Sequence, residues 1–123
     1  MTTERVRGLR GATTVDADTP EDIEARTLEL LGELMESNDL GEQDVISILF
    51  TATPDVCSAF PATAARKAGF GAVPLICAHE IPVPGSMEHC IRVLLHISTS
   101  RSRDELHHVY LHGAKSLRDD LPS

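Results

Sequence analysis

Four arginines stand where arginines are uncommon. Arg7 and Arg10 interrupt one apolar, strand-like stretch, Arg92 interrupts another, and Arg66 lies in an Ala-rich segment. A guanidinium withdrawn from water is costly unless an anion compensates it. Each of these arginines, taken singly, is explained by an ion pair within the chain or by a solvated strand edge. For all four that explanation weakens, because the acids cluster elsewhere, and an external carboxylate gripped by the guanidinium fork becomes the simplest chemistry. Glu80 lies between His79 and Ile81 in a third strand-like run. It either faces solvent or an arginine, or it meets a ligand group that donates a hydrogen bond or becomes positive. Strict alternation sets Glu80 with Ala78 and Ile76, and Cys77 on the opposite face. Tyr110, the single tyrosine, either packs in the core or donates its hydroxyl to a ligand carboxylate.

His107, His108 and His112 raise the question of zinc, but no HExxH pattern or Cys/His ligand set accompanies them, so no metal is expected. Cys57, Cys77 and Cys90 read as small buried hydrophobes. No nucleophile elbow, P-loop or GxGxxG is present, and no cofactor is implied. From the residues alone, the chain is a small oligomer that binds a carboxylated molecule with arginines.

The elements that must position these groups follow from periodicity. Val6 to Val15 reads as a first strand. Thr19, Pro20 and Asp22 open a helix, as a hydroxyl cap, a proline at the first position and an acid at the third. Ile23, Thr27, Leu30, Leu31, Leu34 and Met35 then form one apolar stripe, which Ser37 to Gly41 terminates. Glu42 to Asp44 reads as a single turn, and Val45 to Thr53 as a strand buried on both faces. A small helix from Phe60 and Pro61 to Lys67 is closed by Gly69 and Gly71. Val73 to Val83 reads as a third strand and Glu88 to Ser98 as a fourth, with Ile91, Val93, Leu95 and Ile97 on one face. A short fifth strand, Leu106 to Leu111, precedes a turn from Lys115 to Arg118. The order implies an α+β fold in which a mixed sheet packs against one long and one short helix, in a single domain over residues 1–123. One helix cannot cover such a sheet, so the rest is expected to be buried against copies of the chain.

Composition narrows the partners. Eleven Lys and Arg against nineteen Asp and Glu give a net charge of −8, which disfavours a nucleic-acid backbone. The excess is local: from Asp16 to Asp44 there are eleven acids and one base, Arg26, and the rest of the chain has ten bases to eight acids. Aromatics are too few for base stacking, no apolar run approaches a membrane span, and the first ten residues lack the apolar core of a signal peptide. Three cysteines without a CxxC pair suit a reducing compartment. The expectation is a cytoplasmic protein with no nucleic-acid or membrane partner.

Several stretches together resemble the AroH-class chorismate mutases, the monofunctional Bacillus type. They are Arg7-Gly8-Leu9-Arg10-Gly11-Ala12-Thr13-Thr14, Thr51-Ala52-Thr53-Pro54-Asp55, Phe60-Pro61-Ala62 on to Arg66, Val73-Pro74 with Cys77 and Glu80, Cys90-Ile91-Arg92-Val93, and His108-Val109-Tyr110-Leu111 with Leu117 and Arg118. The resemblance implies a homotrimeric pseudo-barrel with active sites between subunits, and rearrangement of chorismate to prephenate in aromatic amino acid biosynthesis. It implies that Arg10 and Tyr110 bind substrate carboxylate, that Arg92 faces the ether oxygen and that Glu80 accepts the ring hydroxyl beside Cys77. Phe60, Ala62, Val73, Ile76 and Leu117 would line the apolar wall, with Arg66 at the mouth from the adjacent subunit and Arg118 matching a C-terminal arginine. Thr63 stands where the family commonly has Lys, which makes the entrance less cationic. The alternative from another class is a trimeric small-molecule binding or imine-hydrolysing protein of the RidA type.

Overall fold

The computed structural model describes the backbone of residues 3–120 and the side chains of residues 3–117. Five strands, β1 (Arg5–Thr14), β2 (Val45–Ala52), β3 (Leu75–His79), β4 (Cys90–Thr99) and β5 (Val109–Tyr110), form one mixed sheet in the order β3-β2-β4-β1-β5. The helices are α1 (Pro20–Ser37) and α2 (Pro61–Ala65), the latter continued by a wider turn over Arg66–Phe70. Short 3₁₀ turns occupy Glu42–Asp44, Arg103–Glu105 and His112–Asp120.

The α1 start follows the expected logic: Thr19 Oγ1 accepts from the Asp22 amide at 3.2 Å, and Pro20 opens the first turn. Its stripe, Ile23, Thr27, Leu30, Leu31 and Leu34, is buried against one face of the sheet. That face carries Leu9, Ile48, Phe50, Ile91, Val93, Leu95 and Ile97. Gly11 lets the helix come close, since a Cβ there would lie 2.8 Å from Leu34 Cδ1 and 3.1 Å from Leu30 Cδ1.

Among the described residues, the opposite sheet face is covered at its β5 end, where Ala12, Cys90, Tyr110 and Ala114 pack with Met87 and Leu117. This corrects the expectation for β2, whose Ile48, Phe50 and Ala52 are buried while Ser47, Leu49 and Thr51 are half-buried and Ile46 is exposed. Two strands are shorter than their periodicity suggested. β3 pairs only with β2, from Ile48↔Leu75 to Ala52↔His79, so it ends where its partner ends, with one last bond from the Glu80 amide to the Ala52 carbonyl. β5 pairs only Val109 with Gly11 and Tyr110 with Ala12. At the preceding position the Arg10 amide donates to the His108 ring at Nδ1, 3.0 Å, rather than to a backbone carbonyl, and the ladder stops. The small helix passes at Arg66 into a wider turn that carries it through the expected end at Lys67 to Phe70, where Gly69, at φ 104°, adopts a conformation that favours glycine. Of the cysteines only Cys90 is buried; Cys77 is intermediate and Cys57 exposed. Among the described residues no helix is long and apolar enough to cross a membrane.

Candidate active site

The sheet register gathers the chemistry. Ala78↔Thr51, Thr51↔Arg92, Arg92↔Ala12 and Ala12↔Tyr110 are successive pairs, so one transverse row crosses all five strands on the open face. A second row, Ile76, Leu49, Leu94 and Arg10, runs beside it. Arg10 and Arg92 are therefore diagonal neighbours on adjacent strands, with backbones roughly 7–8 Å apart. Tyr110 stands two strands from Arg92.

These rows floor a cavity of about 420 Å³ lined by Arg10, Leu49, Thr51, Arg92, Tyr110 and Leu117, among others. Its floor is apolar and its polar groups, Arg10, Thr51, Arg92 and Tyr110, converge from four strands. The Tyr110 hydroxyl is buried with no hydrogen-bond partner among the described residues. A buried phenol left unpaired is costly, and a ligand acceptor would satisfy it. Among the described residues no carboxylate comes within ion-pair distance of Arg10.

Glu80 joins this face from beyond the end of β3. Its Oε2 accepts from Thr51 Oγ1 at 2.7 Å and lies 3.1 Å from Arg92 Nε. Both contacts use one oxygen and one guanidinium edge. Among the described residues, Oε1 is left as an acceptor and the two terminal Arg92 nitrogens as a fork of donors. Thr51, which with Arg92 holds Glu80 Oε2, has a role that its own segment does not reveal, because it depends on pairing with Arg92 on the adjacent strand.

The remaining residues singled out by the resemblance lie elsewhere in the chain. Phe60, 69% exposed, and Cys77 line a second cavity of about 360 Å³ beside β3, with Cys57, Pro61 and His79. The Cys77 side chain packs toward the helix-covered core, on the face opposite Arg92. Ala62 is buried in that core and Val73 packs against it. Ile76 is on the open face at the β3 edge, 63% exposed, and Arg66 is exposed just after α2. The Arg118 side chain lies outside the described residues. The single chain thus brings Arg10, Arg92, Glu80, Tyr110 and Leu117 together across the open face of the sheet, with Ile76 on that face at the β3 edge and Phe60 and Cys77 at the same edge around the second cavity.

The histidines are dispersed. His108 bonds the Arg10 amide and His112 meets Glu29 at 2.7 Å. Among the described residues no group of three or more His, Cys, Asp or Glu could hold a metal ion. The loop carrying Phe60 is tied by Asp18, whose carboxylate accepts from the Cys57 thiol and from the amides of Cys57 and Ser58. These bonds, the Cys57 thiol foremost, hold the Asp18 pKa down at about 2. Burial pushes the Cys90 thiol up to about 11, so it is a neutral packing group.

Comparison with known proteins gives a consistent result. The family profile described as chorismate mutase type I matches residues 6–121. The chain is 49% identical over 119 residues to "Chorismate mutase AroH" of Thermus thermophilus, covering 96% of this chain and 98% of that one. It is 43% identical over 117 residues to the protein of the same name from Bacillus subtilis, covering 94% and 92%. A solved structure, "Chorismate mutase from Clostridium thermocellum", superposes with a TM-score of 0.88 at 50% identity, covering 89% of this chain and 98% of that one.

Proposed function

The chain belongs to the chorismate mutase type I family, and from that premise we propose that it isomerises chorismate to prephenate on the open face of its sheet. The observation that carries the reading is the convergence of Arg10, Arg92 and Tyr110 on one apolar-floored cavity, with Glu80 fixed against Arg92. The family match favours this over the imine-hydrolysing alternative.

The reaction is a unimolecular pericyclic rearrangement, so the site needs no nucleophile or general base. It must hold the enolpyruvyl side chain over the ring, which restricts rotors before the barrier is climbed. Arg10 and Tyr110 suit the substrate carboxylates. The free terminal nitrogens of Arg92 suit the ether oxygen as negative charge gathers on it while the C–O bond breaks. Glu80, through Oε1, suits the ring hydroxyl and stabilises positive character on the ring. Thr51 and Arg92 fix the Glu80 carboxylate beforehand, so little reorganisation remains at the moment of reaction.

The site is completed in a homotrimer. Phe60 and Ile76 lie at the β3 edge of the sheet, Tyr110 and Leu117 at its β5 end, and a head-to-tail ring would bring the β3 edge of one subunit against the β5 end of the next. Phe60 and Ile76 then wall the cavity of a neighbour, with Leu117 in the apolar surround, Arg66 at the mouth and Arg118 from the C-terminal segment; Ala62, Val73 and Cys77 pack against the core and can only support this wall from behind. The exposed Ile76 and half-buried Leu49 and Leu94 on the open face support such packing, since an unpaired apolar sheet face calls for cover. The product serves aromatic amino acid biosynthesis, in the cytoplasm. The decisive experiment mixes purified protein with chorismate and follows loss of its diene absorbance; no conversion rejects the proposal.

A further inference from the structure

Beside the cavity, where the β5 ladder stops, the segment bearing Arg103 and His108 runs along β1 and leaves a recess of about 350 Å³ lined by Arg7, Arg10, Arg103, His108, Leu94 and Leu106, among others. We propose that this recess is a second anion site, separate from the substrate cavity, which takes a small carboxylate or phosphate and draws on Arg10.

The polar side chains of the recess are all donors. Arg7 Nε is buried with no hydrogen-bond partner among the described residues. His108 Nδ1 is already occupied as acceptor for the Arg10 amide, so the single proton of the neutral ring resides on Nε2 and faces outward as a donor. Burial and the neighbouring Arg10 both lower the His108 pKa, which keeps the ring neutral near pH 7. Among the described residues no carboxylate lies within ion-pair distance of Arg7, Arg10 or Arg103. The nearest acids in sequence are otherwise placed: Glu105 accepts from the Ser102 amide and hydroxyl, Glu4 accepts from Ser98, and Asp104 is exposed. Three guanidiniums with donors and no acceptor make a ligand-sized concavity that recognises negative charge.

Arg10 and Leu94 line both the recess and the substrate cavity. One guanidinium cannot serve two anions fully, so occupation of the recess withdraws Arg10 from substrate and raises KM; this coupling rests on the role proposed for Arg10, whereas the binding does not.

The test titrates the whole protein with inorganic phosphate and, separately, with succinate, reading the His108 imidazole by NMR. A saturable shift and an upward move of the His108 pKa are expected with at least one of them, and the one that saturates identifies phosphate or carboxylate as the preferred source. Arg103→Ala, an exposed side chain outside the substrate cavity, should weaken that binding about tenfold with basal turnover unchanged. Non-saturable shifts with both anions, or equal binding by Arg103→Ala, overturn the site. So does a loss of assembly mass in Arg103→Ala by sedimentation, because the cations would then be counterions for a neighbouring copy. Saturable binding without a rise in the KM for chorismate overturns the coupling through Arg10.

Discussion

Arg92 Nε and Glu80 Oε2 lie 3.1 Å apart within one chain, and the side chain of Glu80 is the less exposed of the two, 20% against 45%. The pair commits one edge of the guanidinium and one carboxylate oxygen to each other and leaves the other edge and oxygen for the roles proposed above. Replacing Arg92 by citrulline keeps the shape and removes the charge. The expected outcome is a fall in kcat of about a hundredfold or more, near 3 kcal/mol, with a much smaller change in KM. Comparable turnover by the neutral variant would remove the electrostatic account.

Because both residues come from one subunit, mixed trimers of Arg92→Ala and Glu80→Ala chains contain no intact pair together with its own wild-type partner. Unfolding and reassembling the two variants together should restore no activity. Arg92→Ala mixed with Phe60→Asp should behave differently, because the proposed trimer draws Phe60 from the neighbour: about a quarter of the sites in a random head-to-tail ring would be wild type. Activity in the first mixture, or none in the second, contradicts the interfacial arrangement.

Gly11 separates α1 from the cavity floor. In Gly11→Ala the new Cβ meets Leu34, Leu30 and Val93, all within 3.1 Å and all in the packed interior. The variant should lose about 1–3 kcal/mol in denaturant unfolding. It should also raise KM, because β1 can yield only by moving Arg10. Wild-type stability would show that the helix has slack that the close contacts do not suggest.

Acid should loosen the Phe60 loop through the protonation of Asp18. Asp18 has a folded pKa of about 2 against an ordinary 3.8, so its contribution to stability is complete above pH 3.8 and is lost as pH falls through about 2. Asp18→Asn should flatten that part of the pH-stability curve and raise KM at neutral pH by freeing the loop. Thermal melts from pH 5 to 2, compared between the two proteins, decide it; superimposable curves would show that the Asp18 bonds contribute nothing.

Much of this was legible in the sequence because it is local. The α1 stripe and cap, the two faces of β4 and the unusual arginines all follow from side-chain period and from the cost of burying charge, properties that short windows of residues possess by themselves. The family resemblance rested on such windows. Tertiary structure decided what depends on distant pairing. β3 is short because its partner runs out, and β5 because His108 turns its ring into the ladder to accept from the Arg10 amide, which periodicity within Val73–Val83 or Leu106–Leu111 cannot reveal. Only the register of three strand pairs sets Thr51, Arg92, Ala12 and Tyr110 in one row, and only the pairing of β2 with both β3 and β4 sets Glu80 against Arg92. Alternation tells which face a residue takes in its own strand. Which residue it then meets is fixed by hydrogen-bond ladders between segments far apart in the chain.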